Sequence, residues 1–443
     1  MSLRKRFISN SLYNLASYFL LIAFSLISIP LILHGLGRDL FGVYVLFSTV
    51  IPIISIFDLG VGTALIRQLS HPNITPEDRD KFWNAGFAFF FWSALVISLV
   101  SGLAVYLIKT TVFKDLSLAP LVLNLSIISI ALTAFFNHVN GYLYVIPQAQ
   151  QRFHIYNVRT LLIGSFNTLI SALVAKYTHD LSFVLLVQLI GFILSFIYLY
   201  FSQKIRLSFI SLIRVPLKEI SQLLHFGLRT FLGTAANQVE ANFSKYVIGL
   251  TASPLAITAF SIPQGVVYKG AGVASQIGLS LFPTGTSLLT KDKLHKLTKL
   301  ILSVEGAVLL FDFAAIFAAF FFGEPFLTWW LKDPQIVALA VPSLKILSLY
   351  MLLISLTPVT TVILTSLGHP QIPSFFAILT AAINVILLFI LVPTYQALGA
   401  AYASLFSALV TVPSILIVFG YIYRKESRKI RFPSETSPLP PLA

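Results

Sequence analysis

The 443-residue sequence contains no cysteine and few charged residues. Without cysteine, the chain can form neither a disulfide nor a thiolate metal site. Charged residues make up 10% of the sequence, whereas a soluble domain has about 25%. Acidic residues are scarcer than basic ones: the sequence has 16 aspartates and glutamates and 30 lysines and arginines. These absences exclude a disulfide-rich secreted domain and an ordinary soluble fold.

Two signatures of soluble enzymes are also missing from the sequence. It has no G-x-x-x-x-G-K-[ST] phosphate loop, so we expect no built-in ATP motor. It has no H-E-x-x-H pattern or comparable metal cluster. We therefore predict a protein that is not an enzyme, has no catalytic residues, and uses neither a metal nor a cofactor.

Hydrophobic sequence is what the chain has in abundance. Hydrophobic residues make up 57% of it, and its mean hydropathy is +0.88. At about 1.5 Å per helical residue, twelve apolar segments are long enough to cross a hydrocarbon core of about 30 Å. They predict an all-α polytopic membrane protein with about twelve transmembrane helices. The segments cover residues 10–34, 41–67, 82–108, 118–146, 157–177, 181–202, 224–249, 255–285, 298–322, 336–366, 372–394 and 398–423.

The basic residues distinguish the two sides of the membrane. With the N-terminus placed inside, most of the 30 lysines and arginines fall at the cytoplasmic ends of the segments. This asymmetry follows the positive-inside rule, so we predict a cytoplasmic (inner) membrane protein with both termini in the cytoplasm. Topology and attraction to anionic membrane lipids then account for the net charge of +14. Nucleic acid is not an expected partner.

The two halves of the chain look related. A shift of 217 residues places 166–177 over 383–394 and aligns Asn167 with Asn384. Such an offset indicates a repeat of six helices plus six, with a cavity between the two lobes. We predict an N-terminal six-helix lobe at 1–202, a cytoplasmic interfacial linker at 203–223, a C-terminal six-helix lobe at 224–423 and a basic, disordered cytoplasmic tail at 424–443.

The seventh apolar segment is unusually polar. Its polar residues recur at helical spacing over a broad surface within 225–249. A charged side chain at the centre of a membrane helix costs about 2.5–3.5 kcal/mol, so such groups normally face a bundle interior or a wet cavity. We interpret the segment as a cavity wall; the alternative is a polar seam between packed helices. The residues concerned are Arg229, Asn237, Gln238, Glu240, Asn242 and Lys245.

Two other charged residues, Lys269 and Asp58, lie inside apolar segments. Lys269, in the eighth segment, is either the counter-ion of Glu240 or a cation that faces an anionic substrate. Asp58, in the second segment, either pairs with a neighbouring cation or lines the cavity. Both residues are therefore candidates for the functional site.

The ninth segment carries two acids. Glu305 and Asp312 are seven residues apart and hence share a helix face. They either carry a coupling proton or sodium ion, or neutralise Lys345 in the tenth segment. For His138, we favour a hydrogen-bonded packing role over a proton relay.

Six short stretches, spread over nearly the whole chain, carry a family resemblance. They are GLGRDLFGVYVL (35–46), FDLGVGTALIRQLS (57–70), PQAQQRFHIYNVRT (147–160), GEPFLTWWL (323–331), LGHPQIP (367–373) and AAINVILLFILVPTYQALGAAYAS (381–404). The sequence resembles the polysaccharide-transporter branch, the Wzx-type flippases, of the multidrug/oligosaccharidyl-lipid/polysaccharide flippase superfamily. The motifs are turns and helix ends and contain no catalytic signature. They therefore identify the superfamily with more certainty than the substrate.

The resemblance implies a transport function. Two six-helix lobes would surround a central cavity that opens alternately to each side and moves polyprenyl-pyrophosphate-linked oligosaccharide units outward, for surface polysaccharides such as O-antigen. A cationic cavity would hold the pyrophosphate. On this basis the cations Arg229, Lys245 and Lys269 would bind the diphosphate, and the amides Asn237, Gln238 and Asn242 the sugar hydroxyls. Asp58, Glu240 and Asp312 are the candidates for coupling or ion pairing.

Two alternatives to this function remain. A cation-coupled multidrug or organic-cation antiporter of the same superfamily favours an acidic cavity, and the acidic residues named above keep that hypothesis open. A membrane polysaccharide polymerase or glycosyltransferase would need large outer loops, which the sequence lacks. The expected partners are the lipid-linked oligosaccharide and membrane lipids, with coupling to protons or sodium and an association with polysaccharide polymerase or ligase components.

Overall fold

The computed structural model describes residues 3–70, 74–114, 116–150, 152–202, 210–213, 215–288 and 294–431. Within these ranges all regular structure is helical. Nine of the described helical stretches are long and apolar enough to cross a membrane. A backbone break at Gln396 divides the last of these into two spans, and the helices Leu217–Thr251 and Pro254–Leu288, of 35 residues each, complete the set. The prediction of an all-α membrane protein with about twelve spans is confirmed.

The N-terminal lobe contains six spans, two of which are interrupted. A 3₁₀ turn at Ser55–Asp58 interrupts the second span, and a π-helical turn at Phe166–Ile170 interrupts the fifth. The helices of this lobe are α1 (Leu3–Leu36), α2 (Arg38–Ile54), α3 (Val61–Leu69), α4 (Pro76–Thr111), α5 (Pro120–Ala149), α6 (Phe153–Ser165), α7 (Ser171–Thr178) and α8 (Leu181–Ser202).

The C-terminal lobe repeats this arrangement with longer helices. Turns at Phe322 and at 355–356 each divide a long stretch of this lobe into two consecutive helices. The helices are α9 (Ile210–Ile213), α10 (Leu217–Thr251), α11 (Pro254–Leu288), α12 (Leu294–Phe321), α13 (Gly323–Leu331), α14 (Pro334–Ile354), α15 (Thr357–Ser366) and α16 (Gln371–Arg431).

Local sequence explains where several helices begin. Thr75 caps α4 by accepting a hydrogen bond from the backbone N–H of Asp78 at 3.1 Å, and Pro76 occupies the first helical position. Asp333 caps α14 in the same way, through the N–H groups of Gln335 and Ile336. These caps fix the residues at which α4 and α14 begin, at the polar ends of their spans.

The connection between the lobes differs from the prediction. The described part of the linker forms only the short α9, which packs against α4 through a hydrogen bond from Trp92 Nε1 to the Leu212 carbonyl at 3.2 Å. Helix α10 begins at Leu217, because its apolar spacing continues without interruption into the seventh span. The predicted interfacial linker over 203–223 therefore ends earlier than expected, because 217–223 belong to α10; 203–209 and 214 lie outside the described residues.

The tail also needs a correction. Helix α16 continues to Arg431, so residues 424–431 are helical and not disordered. Thr298 and Tyr423 share a 2.8 Å hydrogen bond between their hydroxyls, which fastens this helix to α12. The remainder of the predicted tail, 432–443, lies outside the described residues.

The two lobes meet along α2, which contacts both α10 and α11. The hydroxyl of Thr258 donates to the Arg38 carbonyl at 2.8 Å, and Thr49 and Tyr246 are hydrogen-bonded at 3.1 Å. A second line of contact joins α1 to the C-terminal lobe, where Tyr18 donates to the Lys269 carbonyl at 2.8 Å. These two lines of contact define the seam between the lobes.

Candidate substrate site at the seam between the lobes

The core of the candidate site is a pair of lysines, one on each of two neighbouring helices. Lys245 lies on α10 and Lys269 on α11, and both side chains are half-buried. The two helices that carry them are in contact. Among the described residues, no carboxylate lies within 4.0 Å of either ammonium. Two like charges inside a membrane lobe, neither of them in an ion pair with a described carboxylate, favour an anion as their partner.

Two contacts with the N-terminal lobe lie next to this pair in the chain. Tyr246, the residue after Lys245, bonds to Thr49 of α2. The backbone of Lys269 bonds to Tyr18 of α1. The backbone of each lysine therefore lies beside a contact with the N-terminal lobe, and the prediction that both side chains face the seam stays a prediction. Among the described residues, the ammonium of Lys269 donates to the Gly265 carbonyl of its own helix, at 3.4 Å.

The three predicted amides occupy different environments on α10. Asn242 is buried and donates to the backbone and side-chain oxygens of Gln238, at 3.1 and 3.3 Å. Asn237 is exposed, although it lies within a span. An exposed amide on a membrane helix indicates contact with water and not with lipid. Asn237 is thus the amide best placed to meet a substrate, and Asn242 acts within its own helix.

Glu240 belongs to the interior of the C-terminal lobe. Its carboxylate accepts a short hydrogen bond from the Tyr350 hydroxyl of α14. Tyr350 is also hydrogen-bonded to Tyr268 of α11, and Gln264 donates to the Ala241 carbonyl at 3.1 Å. The proposed pair of Glu240 with Lys269 is not among the described ion pairs. Tyrosines satisfy this acid in place of a lysine.

The sequence reasoning missed these two tyrosines. A signal was present, because a tyrosine in the middle of a span needs a partner for its hydroxyl. Tyr268 directly precedes Lys269, and Tyr350 lies in the middle of the tenth span. The polar network they form with Glu240 fixes α10, α11 and α14 relative to one another, and so positions both lysines.

Arg229 lies on α10, but its side chain is outside the described residues. Its backbone position is sixteen residues before Lys245, which corresponds to roughly 24 Å along the helix. The grouping of Arg229 with the two lysines in one diphosphate site stays a prediction.

Asp58 lies far from the lysine pair and shapes the backbone. Its carboxylate accepts from the Gly60 N–H at 2.7 Å, and this bond supports a turn in which Leu59 and Gly60 have positive φ values of 52° and 74°. The turn contacts Gly227 of α10, eighteen residues before Lys245. Among the described ion pairs none involves Asp58, so the structure shows it as a turn residue.

Asp312 and Glu305 form a separate acidic group on α12. Asp312 is fully buried, and one of its oxygens accepts from Ser355 at 3.3 Å. The other oxygen of Asp312 and one oxygen of Glu305 are buried without a hydrogen-bond partner among the described residues. Neither acid pairs with Lys345, whose ammonium lies 5.8 Å from the ring centre of Phe320. The idea that they neutralise Lys345 is therefore wrong.

His138 packs as expected. Its Nε2 is hydrogen-bonded to the Ser93 hydroxyl at 2.8 Å, and its ring lies 4.8 Å from that of Phe90, between centroids. It is buried inside the N-terminal lobe. The described residues contain no group of three or more histidine, aspartate or glutamate side chains that could hold a metal ion.

Comparison with known sequences identifies relatives over most of the chain. The family described as "Polysaccharide biosynthesis protein" matches residues 7–289. A Shigella flexneri protein, provisionally assigned as an O-antigen transporter, is 21% identical over 428 residues, which cover 94% of this chain and 97% of the relative.

Comparison with solved structures supports the two-lobe fold. The lipid II flippase MurJ, in an inward closed conformation, superposes with a TM-score of 0.74 at 15% identity, covering 96% of this chain and 90% of MurJ. An inward-facing multidrug resistance transporter of the MATE family gives a TM-score of 0.68 at 14% identity, with 94% and 96% covered. At these identities the likeness shows the fold alone.

Proposed function

Because the chain belongs to the polysaccharide biosynthesis protein family, we propose that it is a flippase for polyprenyl-pyrophosphate-linked oligosaccharide units in the synthesis of surface polysaccharide. The observation that carries this proposal is that Lys245 and Lys269 lie half-buried on two helices in contact, α10 and α11, and that no carboxylate of the described residues lies within 4.0 Å of either ammonium. A diphosphate presents closely spaced negative charges, and ammonium groups that are partly desolvated bind it strongly. The relative assigned to O-antigen transport supports the same substrate class.

The sugar part of the substrate would meet the polar face of α10. Asn237 is exposed on that face and can donate and accept hydrogen bonds. Gln238 is half-buried and already hydrogen-bonded to Asn242. It would therefore hold the polar face of α10 in place and contact the sugar less than Asn237 does. Arg229, nearer the other end of α10, would attract the headgroup as it enters.

Transport would proceed by alternating movement of the two lobes. Polar contacts across the seam include Thr258 with the Arg38 carbonyl, Thr49 with Tyr246, and Tyr18 with the Lys269 carbonyl. A buried hydrophobic cluster also contains residues of both lobes, such as Phe47 and Phe260, so the movement would rearrange polar and apolar contacts together. The driving force would be substrate supply and removal, or a proton or sodium gradient acting on buried acids such as Asp312 and Glu240.

In the cell, the protein would lie in the cytoplasmic (inner) membrane with both termini in the cytoplasm. The distribution of its basic residues supports this orientation. The substrate would be loaded from the cytoplasmic leaflet and released to the outer leaflet. Polysaccharide polymerase or ligase components would use the released units, and the protein itself would catalyse no covalent step.

A binding experiment tests the assignment of the lysines. Purified protein is titrated with a fluorescent polyprenyl-pyrophosphate disaccharide, with inorganic pyrophosphate as competitor. Lys245→Ala and Lys269→Ala should each weaken binding by roughly tenfold, the effect of losing a charge-assisted phosphate contact. Lys299→Ala is the matched control, because Lys299 is exposed on α12. Unchanged binding in both Lys245→Ala and Lys269→Ala would contradict the proposal.

The rival function is export of organic cations. The buried acids Glu305 and Asp312 favour it, since each has an oxygen without a hydrogen-bond partner among the described residues. Gradient-driven uptake of a lipophilic cation into proteoliposomes, abolished by Asp312→Asn and unaffected by Lys269→Ala, would establish this rival in place of the flippase.

A further inference from the structure

An open groove on the C-terminal lobe is not used by the proposed flippase function. It lies where the ends of α12 and α13 pass α14, and its volume is about 610 Å³. Three aromatic rings line it, those of Phe320, Phe321 and Trp329, and two side chains of opposite charge open into it, Lys345 and Glu324. Phe321 is 67% exposed and Trp329 is 71% exposed. Aromatic surfaces of this size on membrane helices are in contact with lipid.

The lysine in this groove lies within a span. Lys345 is more than two turns from either end of α14 and is half-buried. Its ammonium lies 5.8 Å from the ring centre of Phe320, and no carboxylate of the described residues lies within 4.0 Å of it. An unpaired cation at this depth is costly in lipid, so a negative group is expected beside it.

The carboxylate in the groove is also unpaired. Glu324 is exposed in the first turn of α13 and makes no ion pair with a described residue. It shares the groove with Lys345 without contacting it. The groove thus offers one positive and one negative group, separated from each other, beside an apolar aromatic wall.

This pattern selects among membrane lipids by charge. A phospholipid phosphate can neutralise Lys345, and its acyl chains can cover Phe321 and Trp329. An anionic headgroup leaves Glu324 without a cation and is repelled by it. A headgroup with an amine beside its phosphate satisfies both residues. Free phosphate has no acyl chain and would leave the aromatic wall uncovered.

We propose that this groove binds a zwitterionic phospholipid of the phosphatidylethanolamine type, with the phosphate on Lys345 and the amine on Glu324. The bound lipid fills the angle between α12 and α13 and braces the ninth span against α14. The site is independent of the seam between the lobes and does not require that the protein be a flippase.

Native mass spectrometry of the delipidated, full-length protein tests the proposal. The protein is titrated with phosphatidylethanolamine and, separately, with phosphatidylglycerol. We expect the first lipid to bind roughly fivefold more tightly, the effect of one additional ion pair. Lys345→Met should weaken the binding of both lipids. Glu324→Gln should remove the preference and leave the two lipids equal. Lys114→Met, at an exposed loop lysine, should behave as the wild type.

Two results would overturn the proposal. If Lys345→Met retains phosphatidylethanolamine as well as the wild type, the groove carries adventitious annular lipid only. If Lys345→Met fails to fold, Glu324→Gln decides the question, because Glu324 is exposed and its replacement keeps the shape of the side chain. An unchanged preference for phosphatidylethanolamine in Glu324→Gln would then be the contrary result.

Discussion

Arg38 and Asp333 form an ion pair that joins the two lobes. The Nε atom of Arg38, at the start of α2, lies 2.5 Å from Oδ2 of Asp333, which precedes α14. The same guanidinium donates to the Gln335 side chain, and the Arg38 carbonyl accepts from Thr258 of α11. The Asp333 side chain is only 11% exposed. We refer to these contacts of Arg38 with Asp333 and Gln335 as the latch; it holds one end of the seam closed.

Removing the guanidinium should loosen this end of the seam. A pair that is partly exposed contributes about 1 kcal/mol, so Arg38→Ala should raise the population with separated lobes roughly fivefold. Because the chain has no native cysteine, spin labels can be placed at single cysteines replacing Lys114 and Leu339, one in each lobe. Pulsed EPR then measures the distance between them. Arg38→Lys keeps the charge and should retain part of the short distance; identical distances in Arg38→Ala and wild type would contradict the latch.

The latch should be insensitive to pH near neutrality. Burial by itself disfavours the charged form of the Asp333 carboxylate and would raise its pKa. The hydrogen bond and positive charge of Arg38, together with the N–H groups of Ile336 and Gln335, outweigh burial and hold the pKa below its ordinary 3.8. A lowered pKa gives stabilisation above the ordinary value, which is lost as the pH falls through the folded value. The EPR distances should therefore agree between about pH 5 and about pH 8.

Asp333→Asn separates charge from capping in this test. Asparagine caps a helix as well as aspartate does, so α14 should remain intact while the ion pair is lost. The variant should show the longer lobe distance at every pH. Opening of the wild type between about pH 5 and about pH 7 would mean that another group controls this end of the seam.

A second contact between the lobes depends on a proline. Pro30 lies inside α1 and has no N–H, so it leaves the Leu26 carbonyl without its helical donor. Trp330 of the C-terminal lobe supplies one, with Nε1 2.7 Å from that oxygen. Trp330→Phe should lower stability by about 1 kcal/mol, measured by thermal unfolding in detergent. In a Pro30→Ala background the backbone N–H returns, and the same change should cost less. Additive effects in this double-mutant cycle would contradict the contact.

The fold followed from the sequence because hydrophobicity alone determines where membrane spans begin and end. The contacts between the spans did not, since Arg38 and Asp333 are 295 residues apart and no local pattern links them. Lys345 was grouped with Asp312 because both lie in apolar segments. Lys345 instead lies beside the ring of Phe320, close to the turn at Phe322. Asp312 accepts a hydrogen bond from the hydroxyl of Ser355, in the turn after α14.

The predicted cationic site stays a prediction. Helical spacing correctly indicated a polar α10, but it could not distinguish a residue that faces the seam from one bonded inside its lobe. Glu240 and Asn242 proved to be of the second kind, held by Tyr350 and Gln238. Such distinctions depend on neighbouring helices, which a single sequence does not reveal.

The close approach of α3 and α10 should be intolerant of added volume. A Cβ atom on Gly227 would lie 2.5 Å from the Leu59 carbonyl oxygen. Gly227→Ala should force the helices apart at a cost of about 1–3 kcal/mol and slow transport. Gly306→Ala is the matched control, because no atom lies within 4 Å of its added Cβ. Equal transport rates in the two variants would show that the contact at Gly227 is not needed.

The most direct test of the central claim is lipid movement itself. Purified protein is reconstituted in liposomes that contain a fluorescent polyprenyl-pyrophosphate oligosaccharide, and its arrival at the opposite leaflet is followed by quencher or lectin accessibility, with and without a proton or sodium gradient. The account predicts movement above that in protein-free liposomes, lost in Lys245→Ala and Lys269→Ala and retained in Lys299→Ala. Wild-type movement no faster than in protein-free liposomes, or full activity in both cavity variants, would contradict it.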